Sequence, residues 1–146
     1  MCDGVTLERV AQDHGTPLYV YSAESVRTAY RELDRAFAGH PHRIHYAMKA
    51  NSSFMIVRLL KQLGSAVDAN SIGEVELAMR AGFAPADIVF SGVGKSPEEI
   101  ERAVPLGLKA INAESGGELE RIDRAARARG VRARVAVRVN PNIDAG

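Results

Sequence analysis

The sequence predicts an α/β fold of the parallel, TIM-type (β/α)8-barrel kind, with about the first five βα units present and an N-terminal strand and helix before them. Three observations predict it. Short β-type runs recur at a fixed interval, capped amphipathic helices fill the gaps, and polar residues gather on one face of the strands near their carboxyl ends.

The β-type runs start near Ile44, Ala66, Ile88 and Ala110, a spacing of 22 residues, and a fifth starts at about Arg134. Ahead of them, Thr16-Pro17-Leu18-Tyr19-Val20-Tyr21 reads as a lone strand, and Ser22 as the N-cap of a helix marked by Val26, Tyr30, Leu33 and Phe37. That strand stands outside the period, so it is expected to pair with a sheet elsewhere. Between the runs, Ile56, Leu59, Leu60 and Leu63 fall at i, i+3, i+4, i+7. Val75, Ala78 and Met79 make a shorter stripe; so do Ile100, Ala103 and Val104. Leu119, Ile122, Ala125 and Ala126 make the last. Ser71–Glu74, Ser96–Glu99 and Ser115–Glu118 read as capping boxes. Gly64, Gly82, Gly107 and Gly130 follow the stripes, where a left-handed cap residue is wanted. Strand, cap, helix, glycine, strand is the grammar of a parallel sheet with right-handed crossovers.

Five units suit either an open doubly wound sheet or part of a barrel. The strand faces favour the barrel. His45, Ala47 and Lys49 share one face, Asp68 and Asn70 the next, and Ala136, Arg138 and Asn140 another, while Val135, Val137 and Val139 point the other way. Strand five, ending at Val139-Asn140-Pro141, would be an exposed edge, and the chain reads as a truncated barrel.

The chain has 146 residues, 46% hydrophobic and 25% charged, with a net charge of +1. That composition suits one globular core and gives no electrostatic footprint for nucleic acid. The arginines between Arg121 and Arg138 are interleaved with Glu118, Glu120 and Asp123, as on a solvated helix face. Cys2 is alone and makes no internal disulfide, which fits a reducing cytoplasm. No run suggests a signal peptide or a membrane span.

Lys49 is the leading candidate for chemistry. It ends the run Ile44–Met48 and is expected at a strand's carboxyl end, partly withdrawn from water, where an amine can attack an aldehyde. Asp68, at the next strand end, is placed to tune it. Glu74 is accounted for by capping alone. Arg138, inward on strand five, either binds a ligand oxygen or pairs with Asp68 or another barrel carboxylate. Ser91-Gly92-Val93-Gly94-Lys95-Ser96 imitates a phosphate loop but fails it, since Val89 and Pro97 stand where glycines are required. His40, His42 and His45 lack the partners of a metal site, and His45 reads as a hydrogen-bonded core histidine.

Four blocks together carry a resemblance: Tyr46-Ala47-Met48-Lys49-Ala50-Asn51, Asp68-Ala69-Asn70-Ser71-Ile72-Gly73-Glu74, Phe90-Ser91-Gly92-Val93-Gly94-Lys95 and Val137-Arg138-Val139-Asn140-Pro141-Asn142. From about Gly15 to Gly146 the chain resembles the diaminopimelate decarboxylase family, within the alanine-racemase-like group of pyridoxal-phosphate enzymes. The lysine block is shared with ornithine and arginine decarboxylases; the last two are narrower. The resemblance implies a PLP-binding barrel over 22–146 and, over 1–21, a strand joining a C-terminal β-domain. It implies Lys49 as Schiff-base lysine, with Arg138, Asp68 and His45 near the cofactor, and decarboxylation of meso-2,6-diaminoheptanedioate to L-lysine. A cytoplasmic homodimer completing its site across subunits is implied too. Ile72 departs from the family, where many members have glycine. The family's later motifs, including its ring-stacking histidine and glycine-rich phosphate cup, are absent from this stretch. The alternatives are a decarboxylase for another basic amino acid, of ornithine or arginine type, and a βα module that binds without catalysis.

Overall fold

The computed structural model describes residues 1–141 and 143; Asn142, which closes the fourth block, lies outside them, as do Asp144, Ala145 and Gly146. The chain divides into two compact units, Met1–His42 and Arg43–Gly146.

The first unit holds two helices, α1 (Leu7–His14) and α2 (Ala23–Ala36). The α1 helix falls where charged residues break up any long apolar run. Thr6 caps it by accepting from the Arg9 amide. Ser22 caps α2 as expected, and the Asp3 carboxylate also accepts from the Ala23 and Glu24 amides. Thus Asp3 satisfies donors a helix start leaves orphaned. Residues 16–21, expected as a strand, form no ladder among the described residues, and Tyr19 is 90% exposed. A strand exists only with a hydrogen-bonded neighbour, and the expected neighbour of this one is a sheet elsewhere.

The second unit is the repeating part. Strands β1 (His45–Ala47), β2 (Ala66–Ala69), β3 (Ile88–Phe90), β4 (Ala110–Ala113) and β5 (Val135–Val137) alternate with α3 (Phe54–Gln62), α4 (Ile72–Arg80), α5 (Pro97–Ala103) and α6 (Gly116–Ala128). All neighbours are parallel, and the order is β1-β2-β3-β4-β5. A doubly wound sheet reverses its order at a switch point; this one does not. Uninterrupted order is the barrel pattern, so the sheet is the first five strands of a (β/α) barrel.

The 22-residue spacing of the runs tracks the register, which steps by 21 residues from strand to strand over β1 to β4. Ala47 pairs with Asp68, Asp68 with Val89, and Val89 with Ala110. Side chains at paired positions share a face, so the alternation read in one strand carries to the next. Val67, Ala69, Ile88, Phe90, Ile111 and Ala113 turn to the helices and are buried there with Val57, Val75, Ala78, Ile100, Ala103 and Ile122. The opposite face carries Asp68, Asn112 and Ala136, and is less deeply buried. Gly64, Gly82, Gly107 and Gly130 all adopt positive φ at the predicted places. On β5 the pattern is exposed throughout, and it pairs with β4 alone among the described residues.

Candidate active site

Lys49 does not end the strand. β1 stops at Ala47, and Met48–Ala50 form a 3-10 turn. The apolar run Tyr46-Ala47-Met48 hides this change, because Met48 is fully buried either way. Burial of Met48 anchors one side of the turn. On the other side the Tyr46 hydroxyl donates to the Asn51 carbonyl at 2.9 Å, and the Asn51 side chain accepts from the Ser53 amide. Between these anchors Lys49 is exposed, not partly withdrawn from water as expected, and among the described residues it has no hydrogen-bond or ion-pair partner. The backbone is held while the amine is free to move.

Asp68 is one strand over, on the lumen face. It makes no ion pair with Lys49; the Ser91 hydroxyl donates to its Oδ1. Asn112 Nδ2 in turn donates to Ser91 Oγ at 2.8 Å. The three side chains form a ladder across β2, the end of β3 and β4. Such a ladder fixes the direction of the Asp68 carboxylate. Ser91 and Asn112 were not singled out by sequence, since neither pattern nor spacing distinguishes a lumen serine from a turn serine.

Beyond Asp68, Asn70 Nδ2 is buried without an acceptor. The Asn70 amide donates to Glu74 Oε2 at 2.7 Å, and Ser71 accepts from the Glu74 amide. This is half of the expected capping box, with the carboxylate reaching one residue further back. Only α5 has the complete box, Ser96 with Glu99. Glu99 also accepts from the Ile72 amide at 3.0 Å, and Glu118 from the Lys95 amide at 3.2 Å. Each of these two glutamates therefore braces the preceding βα loop.

Gly92 brings the third loop against the second. Its φ is +95°, and a Cβ there would lie 2.5 Å from the Asn70 carbonyl oxygen. Gly92→Ala is expected to cost about 2–4 kcal/mol, combining left-handed strain with overpacking. Urea unfolding checks this; a loss below about 0.5 kcal/mol would mean that the two loops separate freely.

Lys95, which the sequence offers only as the lysine of a failed phosphate loop, has a structural part. It is 4% exposed, and its Nζ donates to the Gly92 carbonyl at 2.7 Å and the Asn112 carbonyl at 2.6 Å. Glu118, 2% exposed, lies 3.6 Å away and accepts from the Glu114 amide. The pair ties the loops after β3 and β4 together beneath the Ser91–Asn112 bond.

Arg138 follows β5 and donates to Glu114 Oε1 at 2.9 Å, with its side chain 60% exposed. Of the two expected roles, the carboxylate pair is the one present, with Glu114 and not Asp68 as partner, and the arginine is not buried.

His45 begins β1, four residues before Lys49, and lies toward the amino ends of the strands. Its Nδ1 faces the Val67 carbonyl at 3.3 Å, and Lys109 Nζ lies 3.1 Å from its Nε2. Lys109 donates, so Nε2 accepts and the ring is neutral. Burial, opposed by the Val67 bond and aided by Lys109, holds the His45 pKa below the ordinary histidine value. The unfolded chain then takes up a proton first as pH falls. The protein should lose stability as pH drops below about 6.5, the unfolded value, and His45→Gln should flatten that loss. Thermal midpoints between about pH 7 and 5 measure it; equal slopes in both proteins would refute the assignment. Among the described residues no group of three His, Cys, Asp or Glu could hold a metal, and no helix is long and apolar enough to cross a membrane.

Residues 23–146 match the family model described as pyridoxal-dependent decarboxylase, pyridoxal binding domain. The chain belongs to the pyridoxal-dependent decarboxylases. Within that family it is 46% identical over 143 residues to diaminopimelate decarboxylase of Pseudomonas aeruginosa, covering 98% of this chain and 34% of the relative. The crystal structure of diaminopimelate decarboxylase from Helicobacter pylori complexed with L-lysine superposes with a TM-score of 0.89 at 45% identity, covering 95% of this chain and 35% of that one. Lysine/ornithine decarboxylase from Vibrio vulnificus, complexed with putrescine, gives 0.77 at 25% identity, covering 91% and 35%. The chain thus spans about a third of the length of the relatives it matches. A free amine on Lys49 and the acceptorless Asn70 Nδ2, each just past the carboxyl end of one of two neighbouring strands, suit the aldehyde and oxygen acceptors of a pyridoxal group.

Proposed function

We propose that the protein carrying this chain is a diaminopimelate decarboxylase, converting meso-2,6-diaminoheptanedioate to L-lysine with pyridoxal phosphate held on Lys49. The observation that carries this reading is the Lys49 turn: backbone anchored on both sides, amine unpaired, beyond the carboxyl end of the first strand of a pyridoxal-dependent decarboxylase barrel. The substrate is argued from likeness, since identity to diaminopimelate decarboxylases is well above that to the lysine/ornithine enzyme.

Each residue has a part. Lys49 would hold the cofactor through its amine, which its anchored turn leaves free to move. When bound, the cofactor acts as an electron sink for the carbanion left by loss of the carboxylate. Asp68, aimed by Ser91 and Asn112, offers its carboxyl group on the lumen face of the neighbouring strand. Asn70 Nδ2 offers a hydrogen bond from the loop after β2. Arg138, clamped by Glu114, offers its remaining donors to a cofactor or substrate oxygen. His45 is left out of the machinery, because its ring is engaged at the amino end of the sheet. The wider reading includes a cytoplasmic homodimer with the site completed between subunits, and residues 1–21 serving a C-terminal β-domain.

The second reading, a decarboxylase of another basic amino acid, draws on the Vibrio vulnificus likeness. Borohydride reduction of the cofactor-loaded protein, followed by peptide mapping, tests the anchor: a pyridoxyl group on Lys49 is expected, and a label on another lysine or none would sink it. Assays with meso-diaminopimelate, ornithine and arginine separate the two readings.

A further inference from the structure

We propose that the outer groove between α5 and α6 is a binding site for the phosphate group of a small ligand. Ile100, Pro97 and Ala125 give it an apolar wall, and Arg121, Arg124 and Arg129 line it against a single acid, Glu101. Its volume of about 480 Å³ falls within the range of small-molecule sites. The reading of these arginines as a solvated face fits Arg124 and Arg129, which are exposed, but not Arg121. Two neighbours on the same helices are engaged instead: Arg127 pairs with Asp123 at 2.8 Å, and Arg102 with Glu76. Among the described residues Arg121, Arg124 and Arg129 have no ion-pair partner, and neither does Glu101.

Arg121 carries the argument. Its Nε is buried with no acceptor among the described residues. Native structures seldom leave a buried charged donor unmatched, so this donor calls for an acceptor from outside the chain. Three guanidinium groups around one space call for an anion with more than one charged oxygen, and a phosphate offers the forked geometry that arginine matches. The apolar wall beside it accommodates an organic body. The groove lies in the helix layer, whereas Lys49 follows a strand's carboxyl end, so this site is independent of the proposed reaction.

Calorimetric titration of the intact protein with AMP and, separately, with inorganic phosphate tests it. Saturable binding is expected, weakened about tenfold or more in Arg121→Gln and severalfold in Arg124→Gln, the scale of a lost charge-assisted contact. Arg127→Gln, on the same helix outside the groove, should bind as the unsubstituted protein does. Tighter binding of AMP than of phosphate assigns an organic phosphate; equal binding assigns the free anion. The proposal is overturned if neither probe saturates, or if Arg121→Gln, shown folded by circular dichroism, binds unchanged. If Arg121→Gln does not fold, the exposed Arg124 decides in its place. Borohydride labelling of Lys49 should be unaffected by either substitution, which keeps this outcome separate from that of the decarboxylase reading.

Discussion

Lys95→Met is expected to lower the unfolding free energy by about 3–5 kcal/mol, because it strands a buried carboxylate without its partner. Glu118 is 2% exposed and cannot recover water by moving a short distance. Methionine is close to lysine in shape, so packing against Phe90, over which Nζ sits at 5.4 Å, changes little. What is lost is the charge and two donors, leaving the Gly92 and Asn112 carbonyls without them. Pairing Lys95→Met with Glu118→Leu removes the stranded charge but frees the Lys95 and Glu114 amides that Glu118 accepts. The double variant should therefore recover only part of the loss, and the cycle should show coupling of about 1–3 kcal/mol. Urea unfolding of all four proteins measures this. A single-variant loss within about 0.5 kcal/mol would mean that the pair is not closed in solution.

That pair also marks where the sequence stops being readable. The repeat was legible because a parallel register at constant spacing writes itself into the sequence as a period, and Ala47, Asp68 and Val89 share one rung. The choice of barrel over doubly wound sheet was legible in the polar face that ends in Asp68, Asn70 and Arg138. Side-chain pairings between units were not. Lys95 reads as a failed phosphate-loop lysine and Glu118 as a cap, and nothing local links residues 23 positions apart. The same limit hid the Asp68–Ser91–Asn112 ladder and left the partner of Arg138 open, with Glu114 unnamed among the candidates. The 3-10 turn at Met48–Ala50 escaped because a buried methionine continues the apolar run whether the backbone stays extended or turns. The strand expected over 16–21 calls for a sheet elsewhere, and among the described residues it forms no ladder.

Lys49→Ala should separate activity from stability. If the protein carrying this chain is the decarboxylase proposed above, its decarboxylation of meso-diaminopimelate is expected to fall by at least about 10³-fold, the scale of removing a covalent anchor. Stability should move by less than about 0.5 kcal/mol, since the lysine is exposed and unpaired and its turn is held by Met48 and by the Tyr46–Asn51 bond. The contrast with Lys95 is the physical point. Two lysines lie in segments that follow strands β1 and β3 of one sheet; one has every donor occupied or screened, the other none. A buried, paired lysine does structural work, and an exposed, unpaired one on a rigid turn is available for chemistry. Tyr46→Phe probes the rigidity itself. It leaves the amine in place but releases the Asn51 carbonyl, so kcat should fall while borohydride labelling of Lys49 persists. Full activity in Lys49→Ala would remove the residue from the mechanism. An unchanged kcat in Tyr46→Phe would mean that Met48 alone holds the turn.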